Sequence, residues 1–310
     1  MATTLSTANT LDVSSLDDFI PEVWSDDVIA GYKKHLVLAA LVARINHKGK
    51  KGDIIHLPAP VRGAASAKAA NAVVTLVTSE SSEVQVVINK HYEYSFLIED
   101  ILEVQGMASV RRFYTDDAGY ALATQTDNDI RDLAATWNSG TAYSGAVIGS
   151  DGSTAYDASG AGNGAALTDA GLRRVIQTLD DNDVPMRDRF LVIPPVEKRR
   201  LLGITRFTEQ AFTGEAGSGN SIRNGLVGDV YGIPVYVSTN IATIESLNSI
   251  PFRVALMFQK DSLVLAEQLG VRTQAQYKQE ALGTLVTADR LYGTKTLRAE
   301  GCRAIVVPST

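Results

Sequence analysis

The chain reads as an α+β protein, and three observations carry that reading. Residues 109–138 hold no proline and a single glycine, Gly119, which predicts one long helix of about 29 residues, roughly 43 Å at 1.5 Å per residue. Val271 to Lys278 alternates strictly, Val271, Ala275 and Tyr277 against Arg272, Gln274, Gln276 and Lys278, as a half-buried strand does. Short β-branched and aromatic runs flank Tyr231-Gly232, a turn dipeptide, and Pro234 beyond it belongs at an edge strand or a bulge.

From the amino terminus, residues 52–60 predict a strand stopped by Pro58 and Pro60, followed by an Ala, Ser and Gly-rich tip at 61–71. Two further β-rich runs, 73–78 and 83–89, lead into a strand at 92–100. Such an excursion has too few large side chains at its tip to build a core, so it must lean on something else. In the helix, with Ser109 as its N-cap, Tyr114, Ala118, Leu122, Ile130, Leu133 and Trp137 form a stripe that drifts around the axis. Different stretches then meet different neighbours. Asp127, Asp129 and Asp132 resemble the start of a calcium loop, but the sixth position is Asp where that loop needs Gly.

Residues 139–166 predict a low-complexity surface loop, in which Gly160 to Ala165 echoes a dinucleotide fingerprint without the buried strand that motif requires. Thr168 predicts the cap of an amphipathic helix carrying Leu172, Val175, Ile176 and Leu179. Arg189 to Pro194 predicts a central strand, and Pro195 opens a helix ending near Gly203. Residues 207–224 predict a Gly-rich loop. Residues 290–298 and 303–307 predict a closing β-hairpin turned through 299–301.

Composition narrows the function. The formal charge of −6 argues against sequence-independent grip on nucleic acid, and no apolar run approaches the roughly 20 residues of a membrane helix. No secretory leader is legible before Lys33, and a lone Cys302 can form no disulfide within the chain, so folding in the cytosol is expected. The four histidines lack metal-ligand spacing, no nucleophile elbow or phosphate loop occurs, and the adjacent acid pairs point apart; no enzyme, catalytic residue, metal or cofactor is expected. Charge is uneven: Asp12, Asp17, Asp18, Glu22, Asp26 and Asp27 stand in a stretch without Lys or Arg, and Arg44, Lys48, Lys50 and Lys51 follow.

Several runs together resemble the major capsid proteins of tailed phages with the Hong Kong 97-like (Johnson) fold. These are Gly228-Asp229-Val230-Tyr231-Gly232-Ile233-Pro234-Val235, Phe258-Gln259-Lys260-Asp261-Ser262-Leu263-Val264-Leu265-Ala266, the Lys51-Gly52-Asp53 turn, Val184 to Pro195, and Tyr292-Gly293 with Arg298 and Glu300. Ala118 to Asp127 is closest in style to podovirus-type capsids. The resemblance spans about residues 35 to 307. It implies an N-terminal arm at 1–48, an extended loop at 49–97, a peripheral domain at 98–145 and 271–310 with its spine helix at about 109–138, and an axial domain at 146–270.

The function so implied is a shell subunit. It would assemble in the host cytoplasm into hexamers and pentamers of a virion capsid around double-stranded DNA, without sequence-specific binding, membrane or cofactor. The implied partners are further copies of the chain, a scaffolding protein, a portal protein and a possible decoration protein. An encapsulin-like compartment is the alternative, and a soluble binding module a third reading. Candidate intersubunit contacts are Asp17, Asp18, Asp26 and Asp27 on the arm, Arg44, Lys50 and Lys51 as a basic patch, and Arg62 and Lys68 on the extended loop. Some relatives crosslink a loop lysine to an asparagine; Lys68 could serve, but residues 271–310 contain no asparagine, so a non-covalent shell is expected.

Overall fold

Three strands rich in apolar residues, Arg189–Ile193 (β6), Pro251–Gln259 (β10) and Cys302–Pro308 (β13), lie side by side at the centre of the molecule with both faces covered. The structure is a computed structural model and describes residues 33–34, 36–49, 51–60, 65–71, 73–74, 81–101, 108–139, 142–204 and 228–310. The three central strands belong to a seven-stranded sheet ordered β5-β13-β10-β6-β8-β7, where β5 is Val147–Ile148, β7 Asp229–Val230 and β8 Ile233–Val237. The seventh strand, β9 (Thr243–Glu245), pairs with β10. Alternate residues divide between the faces. Ala255, Met257, Ile305 and Val307 meet Leu172, Val175, Leu179 and Leu201 of two helices, Asp169–Asp181 (α3) and Pro195–Leu201 (α4). Val254, Leu256, Phe258, Ala304 and Val306 face the other way, into the main core.

That core is shared with the second sheet, ordered β1-β11-β12-β4: Ala43–Asn46, Leu263–Lys278, Gly283–Thr296 and Lys90–Glu99. Leu263, Leu265 and Tyr292 enter it from the long strands, and Val37, Leu38 and Leu41 enter from a single helical turn, Leu38–Leu41 (α1), and the residue before it. The long helix, Ala108–Asp132 (α2), lies on one face of this sheet and is about 37 Å long at 1.5 Å per residue. Ala118 and Leu122 pack on Ala288, Tyr92 and Tyr94, whereas Ile130, Ala134 and Trp137 face the main core, which is the drift of the stripe made visible. The helix tightens to a 3-10 form at Leu133–Ser139 instead of staying α to 138. A three-residue repeat stacks Ala134 over Trp137, and Trp137 Nε1 donates to Thr296 Oγ1 at 3.1 Å.

Thr168 caps α3 by accepting from the Gly171 N–H at 3.0 Å, and Pro195 opens α4, as expected. Tyr231 and Gly232 both have positive φ, 54° and 76°, as a two-residue hairpin turn between β7 and β8 needs. Pro234 sits on β8 opposite the two-residue edge strand β7.

The first ribbon strand, Ile54–Pro60 (β2), passes through Pro58 and ends at Pro60, within the expected bounds, and pairs with Ser81–Val87 (β3) in a sheet with no third strand among the described residues. Two expectations are corrected. β12 and β13 form no hairpin. After the Ala299–Gly301 turn the chain changes sheets, and Val306 of β13 pairs with Val254 of β10. The stretch 142–166 is more than a surface loop, since β5 pairs with β13 and Tyr143, Ala146 and Tyr156 are buried. Residues 207–224 and most of 73–78 lie outside the described residues, and Val73 and Val74 are outside any strand.

Candidate assembly surfaces

The ribbon β2–β3 is rooted on the four-stranded sheet. Val86 and Ile88 are buried with Val264 and Ala266, while Ile55 and Leu57 pack on them from β2. Gly293 of β12 makes the approach possible: a Cβ there would stand 2.3 Å from the Val87 carbonyl oxygen. The Ile88 N–H donates to the Asp53 carbonyl at 2.7 Å and Gln268 Nε2 to that of Gly52 at 3.0 Å, closing the root. Farther out the packing ends. Residues 65–71 are exposed throughout, Lys68 among them, and Val73 and Val74 are 90% and 62% exposed. Valines that exposed lie outside every apolar core cluster of the described residues.

The expected basic patch is only partly free. Arg44 donates through Nε and Nη2 to the Ala39 carbonyl, at 3.2 and 2.8 Å, and so closes the end of α1. Lys48 pairs with Glu267 at 3.1 Å, a carboxylate that Arg290 also holds at 3.1 Å. Lys51 and Lys68 are exposed and make no ion pair among the described residues. Asp17, Asp18, Asp26, Asp27, Lys50 and Arg62 lie outside the described residues.

The sheet face turned away from α2 is polar and open. Asp289 lies between Glu93 and Arg272 across three strands. Arg272 donates to it twice, at 2.7 and 3.0 Å, and His91 Nε2 stands 3.1 Å away. The Arg272 guanidinium holds the Asp289 carboxyl below the usual carboxylate range, against the cost of desolvation, and His91 adds to the effect. These residues line a shallow cleft of about 450 Å³ with Gln274 and Thr287. Beyond the cleft the sheet runs out into solvent: Val271 and Tyr277 are half exposed, and Leu282, at the turn, is 66% exposed with φ 43°. The period-two pattern thus located the strand, but its apolar side is not buried within the subunit.

Among the described residues no three His, Cys, Asp or Glu are placed to hold a metal ion. The aspartates of α2 diverge: Asp127 accepts from the Ala39 N–H, Asp129 pairs with Lys90, and Asp132 pairs with Arg131. Cys302 is fully buried, and that burial pushes its thiol up to about 12, so it packs as a small apolar residue of β13. Sequence reading missed Glu267 as a shared carboxylate and Asp289 as the hub of the open face; both are single acids within strands, and only strand register brings their cations to them.

Comparisons with known proteins bear on these surfaces. A family model described as phage capsid protein matches residues 35–306. No curated protein sequence matches the chain. Among solved structures, a chain of Mycobacterium phage Che8 is similar with a TM-score of 0.72 at 23% identity, over 93% of this chain and 97% of that one. The capsid of cyanophage P-SCSP1u is similar with a TM-score of 0.72 at 18% identity, over 100% of both chains. The capsid of Ralstonia phage GP4 gives 0.67 at 14%, over 100% and 99%. Two sheets sharing one core, a long helix and a rooted ribbon are therefore the Hong Kong 97-like arrangement, and the chain belongs to the phage capsid protein family.

Proposed function

We propose that the protein is the major capsid protein of a tailed phage, polymerising into hexamers and pentamers that close an icosahedral shell around packaged double-stranded DNA. Residues 1–48 then act as an arm, 49–97 as the extended loop, and the remainder as peripheral and axial domains. The observation that carries the reading is the ribbon. It is anchored at Gly293 and apolar at its root, yet it presents Val73 and Val74 to solvent, as a segment that finishes its packing on a neighbour would. Its product is binding energy, since obligate interfaces bury on the order of 2,000 to 5,000 Å². Scaffolding and portal proteins are the expected assembly partners, with assembly in the host cytoplasm.

The test is a paired substitution, Val73→Asp with Val74→Asp. Circular dichroism and a thermal melt should match the parent, and electron microscopy should show shells lost. Variant subunits that still close into shells at the parental yield would refute the role given to the ribbon.

A further inference from the structure

Residues 33–34 and 36–42 lie along one side of α2 as a strap. The Lys33 ammonium stands 5.1 Å from the centre of the Tyr120 ring, and the Lys34 N–H donates to the Tyr120 hydroxyl at 2.7 Å. The Lys34 ammonium reaches Asn240 Oδ1 at 3.4 Å. Farther along, Val37, Leu38, Leu41 and Val42 are buried with Ile130, Ala134 and Trp137. Tyr120, Asp127 and Ala134 follow one another at intervals of about two helical turns, so they line the same side of the helix.

In the middle of this apolar contact stands a fully buried carboxylate. Asp127 Oδ1 accepts from the Ala39 N–H at 3.0 Å. Burial lifts its carboxyl above the usual range, against the pull of the Ala39 amide, the Asn240 side chain and the amides of Leu38 and Val37. The residue preceding α1 is Val37, which has no side-chain acceptor, and the Ala39 N–H takes its acceptor from another element. A buried carboxylate is a poor way to gain adhesion, because a well-packed apolar side chain would cost less desolvation. What it gives is direction: the Ala39 N–H donates to one fixed, buried group, and a slip of one residue would leave that group without it.

We propose that Asp127 is a clasp, a positioning residue that fixes the register of segment 36–42 on α2. The clasp is made within one subunit and stands whether or not the chain forms shells.

Hydrogen exchange on the unassembled subunit, read by mass spectrometry, tests it. Asp127→Ala should raise exchange in a peptide covering residues 36–42 by about tenfold, the scale of losing the charged acceptor of one buried amide, with β10 and β13 unchanged. Leu122→Ala, a cavity in the separate cluster on the same helix, should not raise it. Asp127→Asn keeps the volume and one acceptor and should give a smaller rise of a few-fold, which preserves the test if the alanine variant does not fold. Parental exchange at 36–42 in both Asp127 variants, or a rise matched in β10 and β13, would overturn the proposal.

Discussion

Tyr292 donates its phenolic hydrogen to Asp129 Oδ2 across 2.6 Å, joining the fully buried ring of a long strand to the last turn of the long helix. The other oxygen of Asp129 takes Lys90 and Gln125, each at 3.2 Å, so one carboxylate gathers β12, β4 and α2. Burial, and then the bond to Asp129, raises the phenol far above its ordinary pKa, and it stays a donor at any working pH.

Tyr292→Phe keeps the ring and removes only the donor. A hydrogen bond to a charged acceptor is worth about 1.5–3 kcal/mol, and urea unfolding should show a loss of that size. A loss below about 0.5 kcal/mol would mean that Lys90, Gln125 and Tyr92 satisfy Asp129 without it.

Gly293→Ala tests the root of the ribbon. The new methyl group would collide with backbone at the Val87 carbonyl, which has no side chain to move aside. The expected cost is about 1–3 kcal/mol, together with faster hydrogen exchange in β2 and β3 than in β10. Parental exchange in the ribbon would show that β12 and β3 separate without penalty.

The Asp289 pair sets a pH dependence whose sign follows from its lowered carboxyl. The unfolded chain has an ordinary Asp, near 3.9, and takes up its proton first as pH falls. The stability contributed by the pair is therefore complete above about pH 5 and is lost as pH drops through the lower folded value. Arg272 is half exposed, so Asp289→Asn should cost only about 1 kcal/mol at pH 7 and flatten the acid limb of stability between about pH 5 and 3. An unchanged acid limb would assign that dependence to other carboxylates.

Assembly should weaken as salt rises, if the acidic stretch 1–32 meets exposed cations such as Lys51 and Lys68 of a neighbour. Light scattering across ionic strength reads this directly, and an indifferent yield would remove the arm from the interface. A denaturing gel of mature shells should show monomers only; a ladder would reveal a crosslink that residues 271–310 hold no asparagine to make.

Much of the fold was legible where local chemistry decides it. The long helix follows from thirty positions without proline, the Thr168 cap from a hydroxyl before an amphipathic run, and the Tyr231-Gly232 turn from its flanking strands. What failed was non-local. The three-residue turn at 299–301 looks like a hairpin, yet β13 is apolar on both faces and joins the sheet whose two faces are covered, whereas β12 carries Arg290 and Lys295. β5 is two residues in a glycine-rich stretch, too short for any periodicity. The charged contacts were least legible, because spacing along the chain does not show that Arg44 turns back on Ala39 or that Lys48 is taken by Glu267.

Electron microscopy of the purified protein, alone and with a scaffolding partner, tests the central claim most directly. The account predicts closed polyhedral shells in at least one of the two samples. Monodisperse monomers in both, across salt and concentration, would contradict it.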